Sequence, residues 1–330
     1  MKSEKKLQPV VGVDIGGTKI MTAVFSPSGG VLAKEVRPTL GSEGVNKTIG
    51  RVCAAIAGLL NDRHISISEI GAVCIACAGG IDTGRGVVVT PSPNLPGWVE
   101  IPLAAMVKER FGVDVFVLND ASAAALGEHR YGAGKGVPNL VMLTLGTGIG
   151  GGIIIDGKLY LGAVGGAGEL GHMTIDANGP RCGCGNTGCL EILASGTAIA
   201  RDAVARLDRG EKSSLGEMVG GDLSKINAEL VGKAARRGDK LSQDVIARAA
   251  RYLGIGMVNV VNIFNPELVI IGGGMADMGE MIVGQGRKMA AELPFSINAR
   301  AARVLMARLG NEAGIYGAAA FALDNEGRTG

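Results

Sequence analysis

The sequence predicts an α/β fold with two domains and a duplicated core. A chain of 330 residues is long enough for two domains, and its 47% of hydrophobic residues can fill two cores. A pattern of strand, glycine-rich turn and strand begins at Val10 and returns at Leu140. Segments with apolar residues at helical spacing lie between these repeats. Because aromatic residues make up only 3% of the chain, the cores must consist mainly of aliphatic side chains.

The first repeat contains a candidate phosphate-binding turn. A β-branched run at residues 10–13 leads into Asp14-Ile15-Gly16-Gly17-Thr18-Lys19, and further strands are predicted at residues 20–25 and 31–36. The Gly-Gly-Thr turn can present backbone N–H groups and a hydroxyl to phosphate oxygens. A carboxylate at the strand end, Asp14, could hold Mg²⁺ or its water shell. An ordinary hairpin turn is the alternative interpretation.

The second repeat carries a similar loop. A strand at residues 141–145 is followed by the glycine-rich residues 146–152, and strands at 153–155 and 158–161 flank an Asp156-Gly157 turn. Two facing Gly-Thr loops can hold a polyphosphate from both sides. Residues 146–151 also spell G-x-G-x-x-G, but a dinucleotide site requires a helix after the glycines, and a strand is predicted here. A Walker A motif is absent from the sequence.

A third glycine site follows a short apolar strand at residues 268–271, where a flat ring or a ribose could approach the backbone. A plain strand-to-helix turn is the alternative. Three such loops fit one nucleotide, two for its phosphates and one for its adenosine. The predicted nucleotide contacts are Asp14, Gly16, Gly17, Thr18, Lys19, Thr144, Gly146, Thr147, Gly148, Gly272, Gly273 and Gly274.

Asn119 and Asp120 stand between a predicted strand and an Ala-rich helix. Ligands of α/β proteins bind at such strand ends. Asp120 is therefore a candidate general base that accepts a proton from a substrate hydroxyl. Its alternative role is the N-cap of the helix.

Helices are predicted at residues 43–60, 103–111, 122–131, 245–264 and 311–323, with two or three more on the surface between 197 and 240.

The densest cluster of metal-ligating residues is His172, Cys182, Cys184 and Cys189. Three thiolates and one imidazole form a closed tetrahedral zinc shell, and the intervening glycines allow the tight backbone turns that it needs. Two acids flank the cluster, Glu169 and Glu191, and soft sulfur ligands leave both free for a polar ligand. A bare structural zinc, or buried thiols beside a histidine, is the alternative.

The remaining cysteines are not predicted to bind a metal. Cys74 and Cys77 fall on opposite faces of a predicted strand, so we expect them, with Cys53, to be buried hydrophobic residues.

A net charge of +2 without a long basic tract argues against nucleic acid or acidic lipid as the main partner. The first ten residues lack the apolar core of a secretory signal, and the uncharged residues 136–155 contain six glycines, which argues against a membrane helix. We therefore expect a cytoplasmic protein.

The motifs DIGGTK, NDASAAALGE, LGTGIGGG, GELGH and CGCGNTGCLE together resemble the ROK family of repressors, open reading frames and kinases. The resemblance covers residues 10–323 and is strongest to the family's bacterial glucokinases. It implies the actin-like ATPase fold, a ribonuclease H-like duplicate with a cleft between two domains. We expect the N-terminal domain at residues 1–119 and 312–330, and the C-terminal domain, with the zinc motif, at 120–311.

The resemblance also implies roles for single residues. Asp120 matches the catalytic base, and His172 can give one ring nitrogen to zinc and the other to a sugar hydroxyl. The stretch SPNLPGW, which contains the only tryptophan, Trp98, resembles a substrate loop, although it could also be a plain connector. The implied hexose contacts are Gly79, Asn94, Asn119, Asp120, Glu169, His172 and Glu191.

The function implied is ATP-dependent phosphorylation of glucose, with Mg²⁺ on the nucleotide, a structural Zn²⁺ and a dimeric or tetrameric assembly. Many relatives read NDANAAA where this chain has Ser122. Only 13 residues precede Asp14, too few for the helix-turn-helix of the repressor branch, so we expect no DNA binding. Three alternatives stay open: another hexose such as mannose, fructose, N-acetylglucosamine or N-acetylmannosamine, a sugar-sensing module without turnover, and polyphosphate as the donor.

Overall fold

A computed structural model describes residues 7–91 and 95–327 of the chain. The chain divides into two compact units. The first comprises the described residues of 1–136, 152–168 and 311–330, and the second comprises residues 137–151 and 169–310. Among the described residues, no helix combines the length and the apolar character that crossing a membrane requires.

Strands and helices alternate as the sequence predicts. The described strands are β1 (Val10–Ile15), β2 (Lys19–Phe25), β3 (Val31–Pro38), β4 (Ala72–Cys77), β5 (Gly80–Asp82), β6 (Val87–Thr90), β7 (Asp114–Asn119), β8 (Leu140–Leu145), β9 (Ile149–Ile155), β10 (Lys158–Leu159), β11 (Leu268–Gly272) and β12 (Arg303–Met306). The described α-helices are α1 (Val45–Asp62), α2 (Leu103–Phe111), α3 (Asp120–Tyr131), α4 (Leu190–Ala194), α5 (Gly196–Asp208), α6 (Leu215–Met218), α7 (Ala228–Arg236), α8 (Lys240–Phe264), α9 (Glu280–Glu292), α10 (Ser296–Ala301) and α11 (Ala313–Asn325).

Two five-stranded sheets share one strand order, which confirms the predicted duplication. The first sheet has the order β3-β2-β1-β4-β7, and the second has the order β10-β9-β8-β11-β12. In the first, β1 pairs antiparallel with β2 and parallel with β4, and β4 pairs parallel with β7. In the second, β8 and β12 both pair parallel with β11. Each half thus places the ends of its parallel strands along one edge of a sheet.

The first sheet is covered on both faces at its centre, where strands β1, β2 and β4 are buried, whereas the edge strand β3 is largely exposed. One face packs with residues of α1 and α2 in a core that includes Val11, Val13 and Cys77. The other packs with residues of α3 and α11 in a core that includes Val10 and Cys74. Successive side chains of a strand point to opposite faces, so Cys74 and Cys77 separate as predicted. Both thiols are fully buried, as expected for hydrophobic residues.

Helices α3 and α11 approach each other through glycines. A Cβ added at Gly127 would lie 2.2 Å from the carbonyl oxygen of Ala313, and one added at Gly317 would lie 1.6 Å from that of Ala123. No side chain fits at these distances, so the two backbones touch directly. The small residues of α11 therefore fix the position of α3, which begins at Asp120.

Several boundaries differ from the prediction. Helix α3 packs on α11 and belongs to the first unit together with residues 152–168, whereas the predicted division lay at residue 120. Strand β9 begins at Ile149, so residues 149–152 belong to a strand rather than to the predicted loop, and a Cβ at Gly152 would lie 2.4 Å from that of Ala125 on α3. Helix α8 begins at Lys240, five residues early, because Asp239 caps it and its first turn is polar. Strands β5, β6 and β12 were not predicted.

Candidate active site and metal centre

Three neighbouring parallel strands of the first sheet end at the same level. Ile15 of β1 pairs with Cys77 of β4, which pairs with Asn119 of β7. This register brings four predicted site residues to one sheet edge, where α/β proteins bind their ligands. These residues are Asp14, Gly79, Asn119 and Asp120.

Asn119 is the N-cap of α3, so the alternative interpretation of Asp120 as the cap is wrong. The Asn119 Oδ1 accepts hydrogen bonds from the backbone N–H groups of Ala121 at 2.9 Å and Ser122 at 3.2 Å. Its Nδ2 donates to the carbonyl oxygen of Gly79 at 3.1 Å. Asp120 follows as the first helical residue, and its Oδ1 accepts from the Ala121 N–H at 2.9 Å. The cap thereby orients the Asp120 carboxylate at the helix start.

The pKa values of Asp14 and Asp120 are both raised, and the charge of Asp120 contributes to the shift of Asp14. Burial and the charge of Asp120 raise the pKa of Asp14 from 3.8 to about 7, against the opposing effect of Lys19. Burial also raises the pKa of Asp120, although backbone N–H groups of Ala121 and Asp120 itself act in the opposite direction. Two half-buried carboxylates with raised pKa values suit proton transfer or cation binding. Asp14 also lies beside the first turn of α11, since a Cβ at Gly314 would be 2.7 Å from its Oδ2.

The first glycine loop joins β1 to β2 and is tied back at both ends. Thr39 donates from its Oγ1 to the Gly16 carbonyl at 2.7 Å and from its backbone N–H to the Thr18 carbonyl at 3.0 Å. The Gly16 N–H donates to the Lys19 carbonyl at 3.0 Å. Thr18 and Lys19 are exposed, so their side chains are accessible to a ligand.

The second and third glycine loops lie together in the second unit. The Gly146 N–H donates to the Gly148 carbonyl at 2.9 Å, which closes the second loop into a tight turn. Thr144 of β8 pairs with Gly272 at the end of β11. Gly273 has φ of +85° and packs against β8, where a Cβ would lie 2.3 Å from the Leu145 carbonyl oxygen. Gly274 has open space around its Cα, so a ligand can approach its backbone.

The predicted metal ligands converge. The ligand atoms of His172, Cys182, Cys184 and Cys189 all lie within 4.8 Å of one another. The Cys184 and Cys189 sulfurs are 3.7 Å apart, and the Cys182 sulfur is 3.8 Å from the His172 Nδ1. A tetrahedron of sulfurs about 2.3 Å from a zinc ion has edges of about 3.8 Å. The donor set and its spacing therefore fit a tetrahedral zinc ion.

The two ring nitrogens of His172 face different groups. Its Nδ1 faces the cysteine sulfurs, and its Nε2 lies 3.9 Å from the Glu169 Oε2. A metal on Nδ1 would leave the Nε2–H to face the carboxylate side of the site. Around the sulfurs, the backbone N–H of Asn186 lowers the pKa of Cys184, whereas burial and neighbouring thiols raise that of Cys189 to about 12. A bound cation removes the protons from thiol ligands of either kind.

Comparison with known proteins places the whole chain in one family. The sequence model of the ROK family matches residues 10–325. The chain belongs to the ROK family. It is 38% identical to the glucokinase of Thermotoga maritima over 315 residues, which cover 94% of this chain and 96% of the relative. It is also 30% identical to the xylose repressor of Bacillus subtilis over 321 residues, 97% of this chain and 78% of the relative.

Solved structures of ROK proteins agree with the fold. A ROK glucokinase from Streptomyces griseus, in complex with glucose and AMPPNP, superposes with a TM-score of 0.80 at 37% identity. The match covers 96% of this chain and 99% of that one. The duplicated sheets of this ROK protein are therefore those of the actin-like ATPase fold.

The structure describes Trp98 of the predicted substrate loop but not Asn94. Asn94 lies outside the described residues. Trp98 is fully buried in the core beside α1 and α2, so it does not form an exposed pocket wall. Within the described part of the chain, its indole Nε1 has no hydrogen-bond partner.

Sequence reasoning missed one contact of Glu191 in this ROK protein. Glu191 lies in the first turn of α4, two residues after Cys189, and its Oε2 accepts a hydrogen bond from the Ile149 N–H at 2.9 Å. The predicted sugar contact is thus bonded to the end of the second glycine loop. The absence of a side chain at Gly148 was the available signal, because a Cβ there would lie 2.2 Å from the Glu191 Oε2.

Proposed function

We propose that this ROK protein is an ATP-dependent hexose kinase that phosphorylates glucose to glucose 6-phosphate. The observation that carries the proposal is the carboxylate pair at the ends of β1 and β7, Asp14 and Asp120, whose pKa values are both raised. Similarity to glucokinases over nearly the whole chain supports glucose and ATP as the substrates.

Asp120 is the proposed general base. The Asn119 cap orients its carboxylate at the start of α3, and the Ala121 N–H holds one oxygen. The second oxygen can accept the proton of the sugar's primary hydroxyl as that oxygen attacks the γ-phosphorus in line. Its raised pKa brings the base closer to neutral pH, where proton transfer is most effective.

The nucleotide contacts follow from the three glycine loops. We assign the phosphates to residues 16–19 and 146–148 and the adenosine to residues 272–274. Loop N–H groups and the Thr18 and Lys19 side chains would stabilise charge on the transferred group. Asp14 would hold the Mg²⁺ of the nucleotide or its water shell, and the cation would neutralise phosphate charge.

We propose that the site of His172, Cys182, Cys184 and Cys189 holds a structural zinc ion. Four protein ligands complete a tetrahedral shell, so the metal would fix its surroundings rather than bind substrate. The residues it would fix include the proposed hexose contacts Glu169, His172 and Glu191. Gly79, Asn94, Asn119 and Asp120 complete the proposed sugar site. Three thiolate ligands favour a reducing compartment, in agreement with the expected cytoplasmic location.

We propose that residues 1–119 with 312–330 and residues 120–311, the predicted domains, act as the two functional units.

We also propose that the protein forms a homo-oligomer, a dimer or a tetramer. An apolar surface supports self-association: Ile263, Leu293, Phe295 and Ile297 are each between 59% and 73% exposed. The Phe295 N–H donates to the Asn262 Oδ1 at 2.9 Å, which holds this surface at the end of α8. Light scattering of the wild-type protein and of Phe295→Glu tests the assembly, because a buried charge would dissociate it.

The decisive experiment for the activity measures ADP release with Mg-ATP and a panel of hexoses, with and without a zinc chelator. Turnover of glucose that metal removal abolishes is the expected result. Turnover of mannose, fructose or an acetamido sugar alone would retain the mechanism and change the substrate. Formation of glucose 6-phosphate from polyphosphate, which leaves a shortened polyphosphate and no ADP, would change the donor.

A sugar-responsive binding protein without turnover is the second candidate. The 30% identity to the xylose repressor of Bacillus subtilis favours it. Calorimetry together with an assay for sugar phosphate separates the two functions, because a sensor binds sugar but forms no sugar phosphate with either donor. That result would replace the kinase assignment.

A further inference from the structure

One residue, Ile149, connects the second glycine loop to the segments around the metal ligands through its backbone N–H and its carbonyl oxygen. The Ile149 N–H donates to the Glu191 Oε2 at 2.9 Å. On its other side, the Ile149 carbonyl oxygen packs against Gly171, where an added Cβ would lie only 1.9 Å away. Gly171 immediately precedes His172, and Glu191 follows Cys189 by two residues. The residue that ends the glycine loop is therefore held between two segments that carry metal ligands.

Further bonds fasten the same loop to the segment after Cys189. The Gly146 carbonyl accepts from the Gly196 N–H at 2.9 Å. The Thr147 carbonyl accepts from the Thr197 Oγ1 at 2.8 Å. Both donors stand at the start of α5, directly after α4. The loop is thus hydrogen-bonded to the starts of α4 and α5, and Glu191 supplies a charged group to these contacts.

We propose that Glu191 is a positioning residue for the nucleotide: its carboxylate holds the loop of residues 146–148 in the conformation that receives the phosphates. This inference rests on the proposed function, which assigns that loop to ATP. The negative charge of Glu191 repels the phosphates and by itself lowers the affinity for the nucleotide. We infer that the gain in affinity from holding the loop in its binding conformation is larger than this loss. The metal centre then supports nucleotide binding as well as sugar binding, through the segments around Gly171 and Glu191.

The same carboxylate provides coupling between the two substrates. One oxygen of Glu191 is bonded to the loop, and the other is available to a sugar hydroxyl in the proposed site. A sugar that fixes the carboxylate rotamer also fixes the Ile149 peptide group. Sugar should therefore strengthen nucleotide binding, and nucleotide should strengthen sugar binding by the same factor.

The test measures the Kd of a non-hydrolysable ATP analogue with Mg²⁺ by calorimetry, in the absence of sugar. Glu191→Ala removes the acceptor, and we expect a Kd about tenfold higher, as for the loss of a hydrogen bond to a charged group. Glu191→Gln keeps an oxygen acceptor, so its Kd should stay within about threefold of the wild-type value. Glu169→Gln is the matched control, because it should weaken glucose binding while nucleotide binding without sugar stays unchanged.

Gly148→Ala gives a second test that keeps the Glu191 charge, and the double variant with Glu191→Ala should bind nucleotide no more weakly than either single variant if both act through the same hydrogen bond. The new Cβ would displace the Glu191 carboxylate from the Ile149 N–H, so nucleotide binding should weaken about tenfold here as well. Metal content and the unfolding transition followed by Trp98 fluorescence verify that each variant is folded. If Glu191→Ala loses its metal, the nucleotide affinity of Gly148→Ala tests the positioning role instead.

The outcomes separate this inference from the proposed function. Nucleotide binding as tight as wild type, or tighter, in both Glu191→Ala and Gly148→Ala would overturn the positioning role. A wild-type protein that binds no nucleotide would overturn both proposals. The expected pattern of nucleotide affinities without transfer to any sugar would support the positioning role and reject the kinase.

Discussion

Replacement of Asp120 by Asn separates catalysis from binding. Asn is isosteric and can still accept the Ala121 N–H through its Oδ1, and the helix keeps its Asn119 cap. The fold and the sugar contacts should therefore persist. The base is lost, and general-base catalysis contributes about 10²- to 10⁴-fold, so kcat should fall by that factor while the Kd for glucose changes little.

The same substitution should change the pH dependence of nucleotide binding through Asp14. Asp14 is level with Ala76, which is level with Leu118, two residues before Asp120. Two strand spacings and two residues along the strand separate the backbones of Asp14 and Asp120 by about 12 Å. At that distance, with an effective dielectric constant of about 20, two charges interact by about 1.4 kcal/mol. Without the Asp120 charge, Asp14 should ionise at a pH lower by about one unit.

The sign of this effect follows from the raised pKa of Asp14, about 7 in the wild type. Below that pH the carboxyl is protonated and cannot bind Mg²⁺, so binding of the Mg-nucleotide should weaken as the pH falls through about 7. In Asp120→Asn the midpoint of that loss should lie at lower pH. Calorimetric titrations between about pH 5 and 9 measure it.

Asp62→Asn is the matched control, since it removes the same charge from an exposed position at the end of α1. It should leave both kcat and the binding midpoint unchanged. Full turnover by Asp120→Asn would refute its role as the base. An unchanged midpoint beside lost turnover would refute the electrostatic pairing with Asp14 and leave the base assignment intact.

Three further predictions concern the metal, the buried carboxylate and the helix contact. Cys184→Ser should lose the metal and weaken glucose binding at least about tenfold; retained glucose affinity in metal-free protein would contradict the scaffold role. Asp14 has a pKa raised from 3.8 to about 7, so its contribution to stability is present below about pH 4 and is lost as the pH rises through 7. Asp14→Asn should therefore raise the free energy of unfolding at pH 8 by up to about 4 kcal/mol, but not at pH 4, in urea titrations. Gly317→Ala should lower that free energy by about 1–3 kcal/mol, whereas Gly216→Ala, whose Cβ meets no atom, should not.

The repeat and the metal centre could be predicted because their signals are local. Each half repeats strand, glycine loop and strand within 16 residues, at 10–25 and at 140–155. The order of histidine and cysteines also restricts the ligand set to one short segment. Such patterns depend on neighbours in sequence, which a single chain displays directly.

The differences from the sequence-based expectations occur where contacts join distant segments. The compact units differ from the predicted division at residue 120 because α3 packs on α11, whose first residue is Ala313. The N-cap was ambiguous because Asn119 and Asp120 are both favourable caps, and only the start of the helix decides between them. The bond from Ile149 to Glu191 spans 42 residues, and no periodicity in the sequence indicates it.

Glycine residues allow the close backbone approaches at these long-range contacts, although the sequence does not indicate which glycines take part. The high glycine content, 55 residues, predicts close backbone approaches without saying where they occur. In the structure, Gly127 and Gly317 fix the helix that begins at Asp120, and Gly148 and Gly171 fix the loop bonded to Glu191. Gly127, Gly171 and Gly317 affect the site without being proposed contacts of a substrate. A methyl group at any of them would move a site element, so losses of activity from such changes would be losses of position rather than of chemistry.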